Sequence, residues 1–252
     1  MTKSKSSRWY ETFFGGLYTQ VLGGENPEGR AAEESRMIKK VLRLRKGRRV
    51  LDCPCGMGRI SFNLAKLGLD ITGADLTALY IRRARKRAKE QKLDIPFLRC
   101  DMRELPFENE FDAVVNWFTS FGYFDEAGNL QAARVAFAAL KPGGKFLIEM
   151  INKSWLIPRF RDKDDNTVNG VRIISRNHWD AKNSRVCNTW TFIKGKKRET
   201  HRFSHVLYTA PQLRSLLRQA GFRDVQFLGR PPLGRFTRHS KRMIAIATKS
   251  LK

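Results

Sequence analysis

Five short apolar runs, each bounded by polar residues and separated by amphipathic stretches, set the pattern of residues 50–150. Val50-Leu51 ends in Asp52, and the run over 70–74 ends in Asp75. The run over 96–100 ends in Asp101-Met102, and that over 111–115 ends in Asn116. A fifth, over 145–150, follows the turn Lys141-Pro142-Gly143-Gly144. Short continuous apolar runs fit strands buried on both faces. Between them apolar residues recur at helical spacing, as over 78–91 and 129–140. Strands that alternate with helices predict an α/β chain whose parallel sheet is covered on both faces. The C-terminal ends of such strands share one edge, where ligands bind. Gly56, Gly58, Asp75, Asp101 and Asn116 are therefore expected to meet in one crevice.

The rhythm changes outside this stretch. Residues 171–179, 185–194 and 200–208 are β-rich and joined by polar turns at 180–184 and 195–198. They predict an antiparallel flap inserted after the fifth strand, walling a pocket. A helix over 211–220 is stopped by Gly221, and runs at 223–228 and 243–248 predict a terminal antiparallel pair. Near the N-terminus, Trp9, Tyr10, Phe13, Phe14, Leu17 and Tyr18 are spaced as the aromatic face of one helix. Such a helix either packs onto the sheet or closes over a bound ligand. The expectation is one domain: a helical lid over 1–30, a ligand-binding core over 31–151, a flap over 152–209 and sheet completion over 210–252.

The turn after the first strand carries the most chemistry. Gly56 and Gly58 permit φ > 0 and let a ligand lie against the backbone. The helix behind them starts with unpaired N–H groups. Asp75 follows Gly58 by 17 residues, the usual place for an acidic acceptor of ribose hydroxyls. Gly56-Met57-Gly58-Arg59-Ile60-Ser61 lacks the third glycine of a dinucleotide fingerprint, and no phosphate loop of the G-x-x-x-x-G-K-[ST] type occurs. The reading is a nucleoside site without a pyrophosphate cradle. The alternative is that Asp75 and Asp101 simply cap the turn or helix after their strands.

These residues resemble the class I S-adenosylmethionine-dependent methyltransferases across most of the chain. The segment 51–59, Leu-Asp-Cys-Pro-Cys-Gly-Met-Gly-Arg, is similar to their first motif, and Thr72-Gly73-Ala74-Asp75-Leu76 to their second. Residues 99–107 resemble the adenine-contacting segment, and 140–144 the turn before the fifth strand. The stretch 116–124 and the inserted flap resemble the small-molecule branch, such as glycine and amino-sugar N-methyltransferases. Pro54 departs from the family's usual glycine; proline fixes φ and removes a donor.

The resemblance implies a Rossmann-like, doubly wound sheet of seven strands, mostly parallel with an antiparallel C-terminal strand, plus the antiparallel flap. It implies S-adenosyl-L-methionine as cofactor. Asp75 would accept both ribose hydroxyls, Leu76 would pack on the adenine, and Asp101 would accept the adenine amino group beside the Met102 N–H. Asp52, Cys53, Cys55, Gly56 and Gly58 would line the methionine and ribose portions, and Asn116 the end of the fourth strand. The activity implied is methyl transfer to a nitrogen or oxygen of a small metabolite, anionic ones included. An oxygen acceptor usually needs a base. Tyr18 and His205 are the candidate catalytic side chains, with His178 and Glu149 also ionisable and available.

Charge complicates this picture. The chain has 49 Lys and Arg against 24 Asp and Glu, a formal net charge of +25. Such an excess favours anionic partners, so nucleic acid stays open as a partner and an RNA methyltransferase is the alternative function. Basic clusters fall at 43–49, 82–92, 194–202 and 230–242. The four cysteines show no zinc spacing and are expected to be free, without a metal. No run approaches the roughly 18 apolar residues of a spanning helix, and no signal peptide is read, so a cytoplasmic, soluble protein is expected.

Overall fold

The computed structural model describes residues 5–25, 28–230 and 233–251. At its centre five strands run parallel: β1 (Arg49–Asp52), β2 (Asp70–Asp75), β3 (Phe97–Arg99), β4 (Phe111–Asn116) and β5 (Leu140–Ile151). After the flap, β10 (Asp224–Arg230) and β12 (Arg242–Thr248) complete the sheet, with β12 antiparallel to both β5 and β10. With the edge strand β11 (Gly234–Arg235), the order is β11-β10-β12-β5-β4-β1-β2-β3. The eighth strand, absent from the sequence expectation of seven, is this two-residue edge piece. Both of its residues are exposed, so no apolar pattern marks it.

Alternation along the strands sorts the core into two layers. Val50, Ile71, Ala113, Val115 and Leu147 face α2 (Glu28–Leu42), α3 (Arg59–Lys66) and α4 (Ala78–Glu90) through Ile38, Phe62, Leu64, Ile81 and Ala84. Leu51, Val114, Phe146 and Ile148 face α5 (Glu126–Ala139) and α7 (Ala210–Gln219) through Ala132, Ala136, Leu213 and Leu217. Each fully buried Leu, Ile or Phe contributes about 1.5–3 kcal/mol. Local signals set the helix starts. The Asp125 side chain accepts from Gly128 N at 2.8 Å, and Thr209 with Gln212 forms a reciprocal cap ahead of Pro211.

The flap is a separate antiparallel sheet of four strands, ordered β6 (Lys163–Val168), β7 (Val171–Asp180), β8 (Arg185–Lys194) and β9 (Lys197–Val206). A short helix, α6 (Lys153–Leu156), leads into it. The sequence pattern predicts three strands. It misses β6 because an edge strand reading Lys-Asp-Asp-Asn-Thr-Val has no buried face to mark it. The last strand ends before Leu207 and Tyr208, which turn into the core; Asn129 Nδ2 donates to the Tyr208 hydroxyl at 3.0 Å.

The single N-terminal helix of the sequence reading is corrected. The chain forms a 3-10 helix over Lys5–Glu11, non-helical at Arg8, then a turn, then α1 (Tyr18–Glu25). Gly16 at φ +52 breaks the helix, and Glu199 of the flap accepts the Leu17 N–H at 2.7 Å. Positions 1–4 and 26–27 of the expected lid lie outside the described residues. Among the described residues no helix is long and apolar enough to cross a membrane.

Candidate functional site

The strand-to-helix turn after β1 brings the first group of expected residues together. Gly56 and Gly58 both take positive φ, +56 and +81. A Cβ on Gly58 would collide with the Phe62 ring at 2.7 Å, whereas one on Gly56 would meet no protein atom within 4 Å. Gly58 thus packs inward as the left-handed start of α3, and Gly56 faces open space. The Cys53–Pro54 bond is cis, and the flanking amides are used: Cys53 N bonds Val115 O and Cys55 N bonds Ala74 O. Burial pushes the Cys53 and Cys55 thiols well above their ordinary range, so they stay protonated. Asp52 is buried and accepts the Ser61 hydroxyl at 2.6 Å. Its burial pushes the carboxyl up to about 7, against the opposing pull of Ser61 and Arg59.

Asp75 closes the turn from the neighbouring strand. Gly56 N donates to its Oδ2 at 2.9 Å and Thr77 N to its Oδ1 at 2.8 Å. Burial raises its pKa, partly offset by those two backbone bonds. Each oxygen keeps acceptor capacity beyond its one backbone bond. Asp101 is held differently: Arg103 donates to Oδ1 from its backbone N and Nε, and to Oδ2 from Nη2 at 2.6 Å. The same guanidinium lies 4.0 Å from the Phe124 ring centroid.

A cavity of about 520 Å³ opens along these residues. Asp52, Cys53, Cys55, Gly56, Asp75, Leu76, Asp101 and Met102 line one end. Tyr18 and His205 line it together with Trp9, Phe13, Trp190 and Phe203. These aromatic rings pack on one another, with Trp9–Tyr123 centroids at 4.8 Å and Phe13–Phe203 at 4.4 Å. His205 is only part-buried because it faces the cavity, and desolvation pushes its imidazole down to about 4, with the Arg185 charge adding to the shift. The indole N–H groups of Trp9 and Trp190 are buried without a partner. The carboxylates on the wall, Asp52, Asp75 and Asp101, come from the strand ends and the loop after β3 rather than from the flap.

Four expected residues sit elsewhere. Gly58 is packed behind the wall. Asn116 is buried beside Met102, its Nδ2 3.8 Å from Sδ and its Oδ1 unpartnered, and it is not on the cavity wall. Glu149 is fully buried and held by Arg242, Arg230 and the Phe118 N–H, which removes it as a base. His178 is exposed on the flap's outer face.

Behind the Trp117–Thr119 segment of the cavity wall lies an ionic assembly invisible in the local sequence; of its charged members only Arg59 reaches the cavity. Buried Glu34 accepts from Arg59 and from Arg230 Nη2 at 2.7 Å, and Arg230 continues to Glu149 at 3.3 Å. Burial would raise the Glu34 carboxyl, but the two guanidiniums outweigh it and hold it below the ordinary range. Above them Phe118 and Thr119 take left-handed φ of 66 and 59. Arg59 and Arg242 flank the Phe118 ring at 5.8 and 5.7 Å, and Arg230 lies 5.2 Å from the Trp117 ring. Such non-glycine backbone costs about 1–2 kcal/mol per residue, which the Glu149 bonds to Phe118 N and Thr119 N offset.

Residues 50–144 match the family model described as a methyltransferase domain. The chain is 33% identical over 126 residues to the "Putative methyltransferase YqeM" of Bacillus subtilis, covering 47% of this chain and 50% of that protein. It spans about half the length of the curated relatives it matches. In fold it is similar to the CcbJ methyltransferase of Streptomyces caelestis, at 16% identity, TM-score 0.81, and 96% and 99% of the two chains. It is also similar to S-adenosylmethionine-bound CalS10, an amino pentose methyltransferase of Micromonospora echinaspora. There the identity is 21%, the TM-score 0.69, and the coverage 94% and 98%.

Proposed function

We propose that this chain, which carries a methyltransferase domain over residues 50–144 on the fold of S-adenosylmethionine-dependent methyltransferases, transfers a methyl group to a nitrogen or oxygen of a small acceptor beneath the flap. One observation carries the reading: a single cavity joins the Asp75–Gly56 turn to the aromatic residues of the flap and N-terminal segment. Its volume, about 520 Å³, lies in the range of small-molecule sites.

The residues present fit S-adenosyl-L-methionine. Both Asp75 oxygens have acceptor capacity left for two ribose hydroxyls, and the open side of Gly56 admits a ligand against the backbone. When bound, the cofactor supplies a methyl group already made electrophilic by its sulfonium. The chain's own residues bind, orient and exclude water. Asp75 would hold the ribose, Leu76 and Met102 would pack the adenine, and Asp101 would accept its amino group. Cys53, Cys55 and Gly56 would flank the remainder through their backbone. Holding two reactants in line is worth about 7–11 kcal/mol of barrier. For a hydroxyl acceptor, His205 is the imidazole placed on the cavity wall, although a group held to about 4 is a weak base. It is uncharged near neutral pH and borders the cavity with no hydrogen-bond partner among the described residues. Tyr18 lies on the same wall.

Walls of Trp9, Phe13, Trp190 and Phe203 support an acceptor with a flat or apolar body packed against the rings. A chamber roofed by Trp9, Phe13 and Phe203 supports a metabolite over a polymer threaded through a basic trough. Titration calorimetry with S-adenosylhomocysteine tests the reading, followed by labelled methyl transfer to aromatic alcohols and amines. Wild-type protein should bind; Asp75→Ala, with unchanged circular dichroism, should bind at least about tenfold more weakly, as loss of charged hydrogen bonds predicts. A folded wild-type protein that ignores S-adenosylhomocysteine would overturn the proposal.

A further inference from the structure

The flap has a second face that the cavity does not use. Trp190, Phe203 and His205 turn inward, so their strand neighbours Thr189, Thr191, Arg202 and Ser204 turn outward. Pairing across the four strands places Lys163, Arg176, Thr189 and Arg202 in one outward row, and Thr167, Arg172, Ile193 and Arg198 in another. Arg172 is neutralised by Asp165 at 2.6 Å. Lys163, Arg176, Arg198 and Arg202 are exposed and have no ion pair among the described residues.

Lys163 and Arg176 are direct cross-strand partners, and like charges so placed destabilise a sheet. Neither side chain has an ion pair among the described residues, and an anion from outside the chain would relieve the repulsion. The strands are about 4.8 Å apart and rise about 3.4 Å per residue, so Lys163 and Arg176 stand about 5 Å apart, Arg202 about 10 Å from Arg176, and Arg198 about 14 Å along the strand from Arg202. Between the two rows lie Asp165, Ile174, Thr191 and Thr200, with the Asp165 carboxylate taken up by Arg172 and Ile174 part-buried. Among the described residues the face carries no exposed apolar side chain to enter a lipid layer, and the exposed His178 imidazole lies beyond the first row.

We propose that the outer face of the flap binds the phosphate backbone of a nucleic acid strand, independently of base sequence. Because this face is turned away from the cavity, the strand is a docking partner rather than the methyl acceptor. The proposal stands whether or not the methyl acceptor assigned above is right.

Fluorescence anisotropy with a 5′-fluorescein oligouridine of about 20 nucleotides, titrated between about 50 and 200 mM salt, tests it. Wild-type protein should bind, and its affinity should fall steeply with salt. In Lys163→Gln/Arg176→Gln/Arg202→Gln, binding should weaken and the log–log salt slope should shrink by about 2, at about 0.7 per phosphate contact. The control Arg82→Gln/Lys86→Gln/Lys89→Gln, which removes as many charges from α4, should keep the wild-type slope. Circular dichroism identical to wild type in both variants shows that loss of binding is not loss of fold. Wild-type protein that does not bind the oligonucleotide, or a slope lost in the α4 variant instead, overturns the proposal. So does binding to phosphatidylserine vesicles with none to oligouridine.

Discussion

The Arg103 guanidinium donates to the Tyr10 hydroxyl at 3.1 Å while gripping both carboxylate oxygens of Asp101. One side chain therefore fastens the N-terminal segment to the loop that follows β3, at the cofactor end of the cavity. Closure of the cavity and order in that loop are coupled through it.

Arg103→Leu should release that fastening. Hydrogen bonds to charged groups contribute about 1.5–3 kcal/mol, so S-adenosylhomocysteine affinity should fall by about tenfold. Amide exchange over residues 8–17 should rise in parallel, as read by mass spectrometry. Unchanged exchange there would show that Arg103 does not secure the segment.

Glu149→Gln should be among the most damaging single changes. Removing one partner of a buried ionic assembly costs about 3–5 kcal/mol, because the charges left behind stay desolvated. Urea unfolding should show a lower midpoint with an unchanged slope. A shift under about 1 kcal/mol would mean that Arg230 and Arg242 find other partners.

The two turn glycines should fail in different ways. Gly58→Ala puts a methyl against Phe62 in a left-handed conformation, so the protein should lose stability, read as a lower melting temperature. Gly56→Ala meets no protein atom and should cost only the left-handed penalty of about 1–2 kcal/mol. Its loss should appear in cofactor affinity. Equal melting temperatures for the two variants would contradict this division.

Asp52 gives the stability a pH dependence of defined sign. Its carboxyl is pushed up to about 7 by burial, so the native state holds a proton that the unfolded chain releases near pH 4. This contribution is complete below about pH 4 and is lost as pH climbs through about 7. Asp52→Asn should remove that decline. Melting temperatures compared at about pH 5 and pH 8 should fall more for wild type than for the variant; parallel curves would refute the assignment.

Much of the core was legible before any coordinates. Val50 and Leu51 alternate between layers, and Asp75 returns to Gly56 at 2.9 Å, because strand period and glycine turns obey rules spanning a few residues. Other features had no such mark. β6 is a polar edge strand, and the N-terminal helix is broken by Gly16 against a flap glutamate. Asn116 ends its strand as expected yet sits beside Met102, behind the wall. Trp9 shows as an aromatic in the sequence, but nothing local says that it meets Tyr123 and Phe203.

The amino-acid order alone determined the alternation of strands and helices, the left-handed glycines and the acidic strand ends, since sterics and hydrophobic periodicity act between near neighbours. Tertiary structure decided which charges are buried together. Glu34 meets Arg59 across 25 residues and Arg230 across 196. Desolvating an ion depends on everything packed around it, and no short stretch of chain encodes that surrounding.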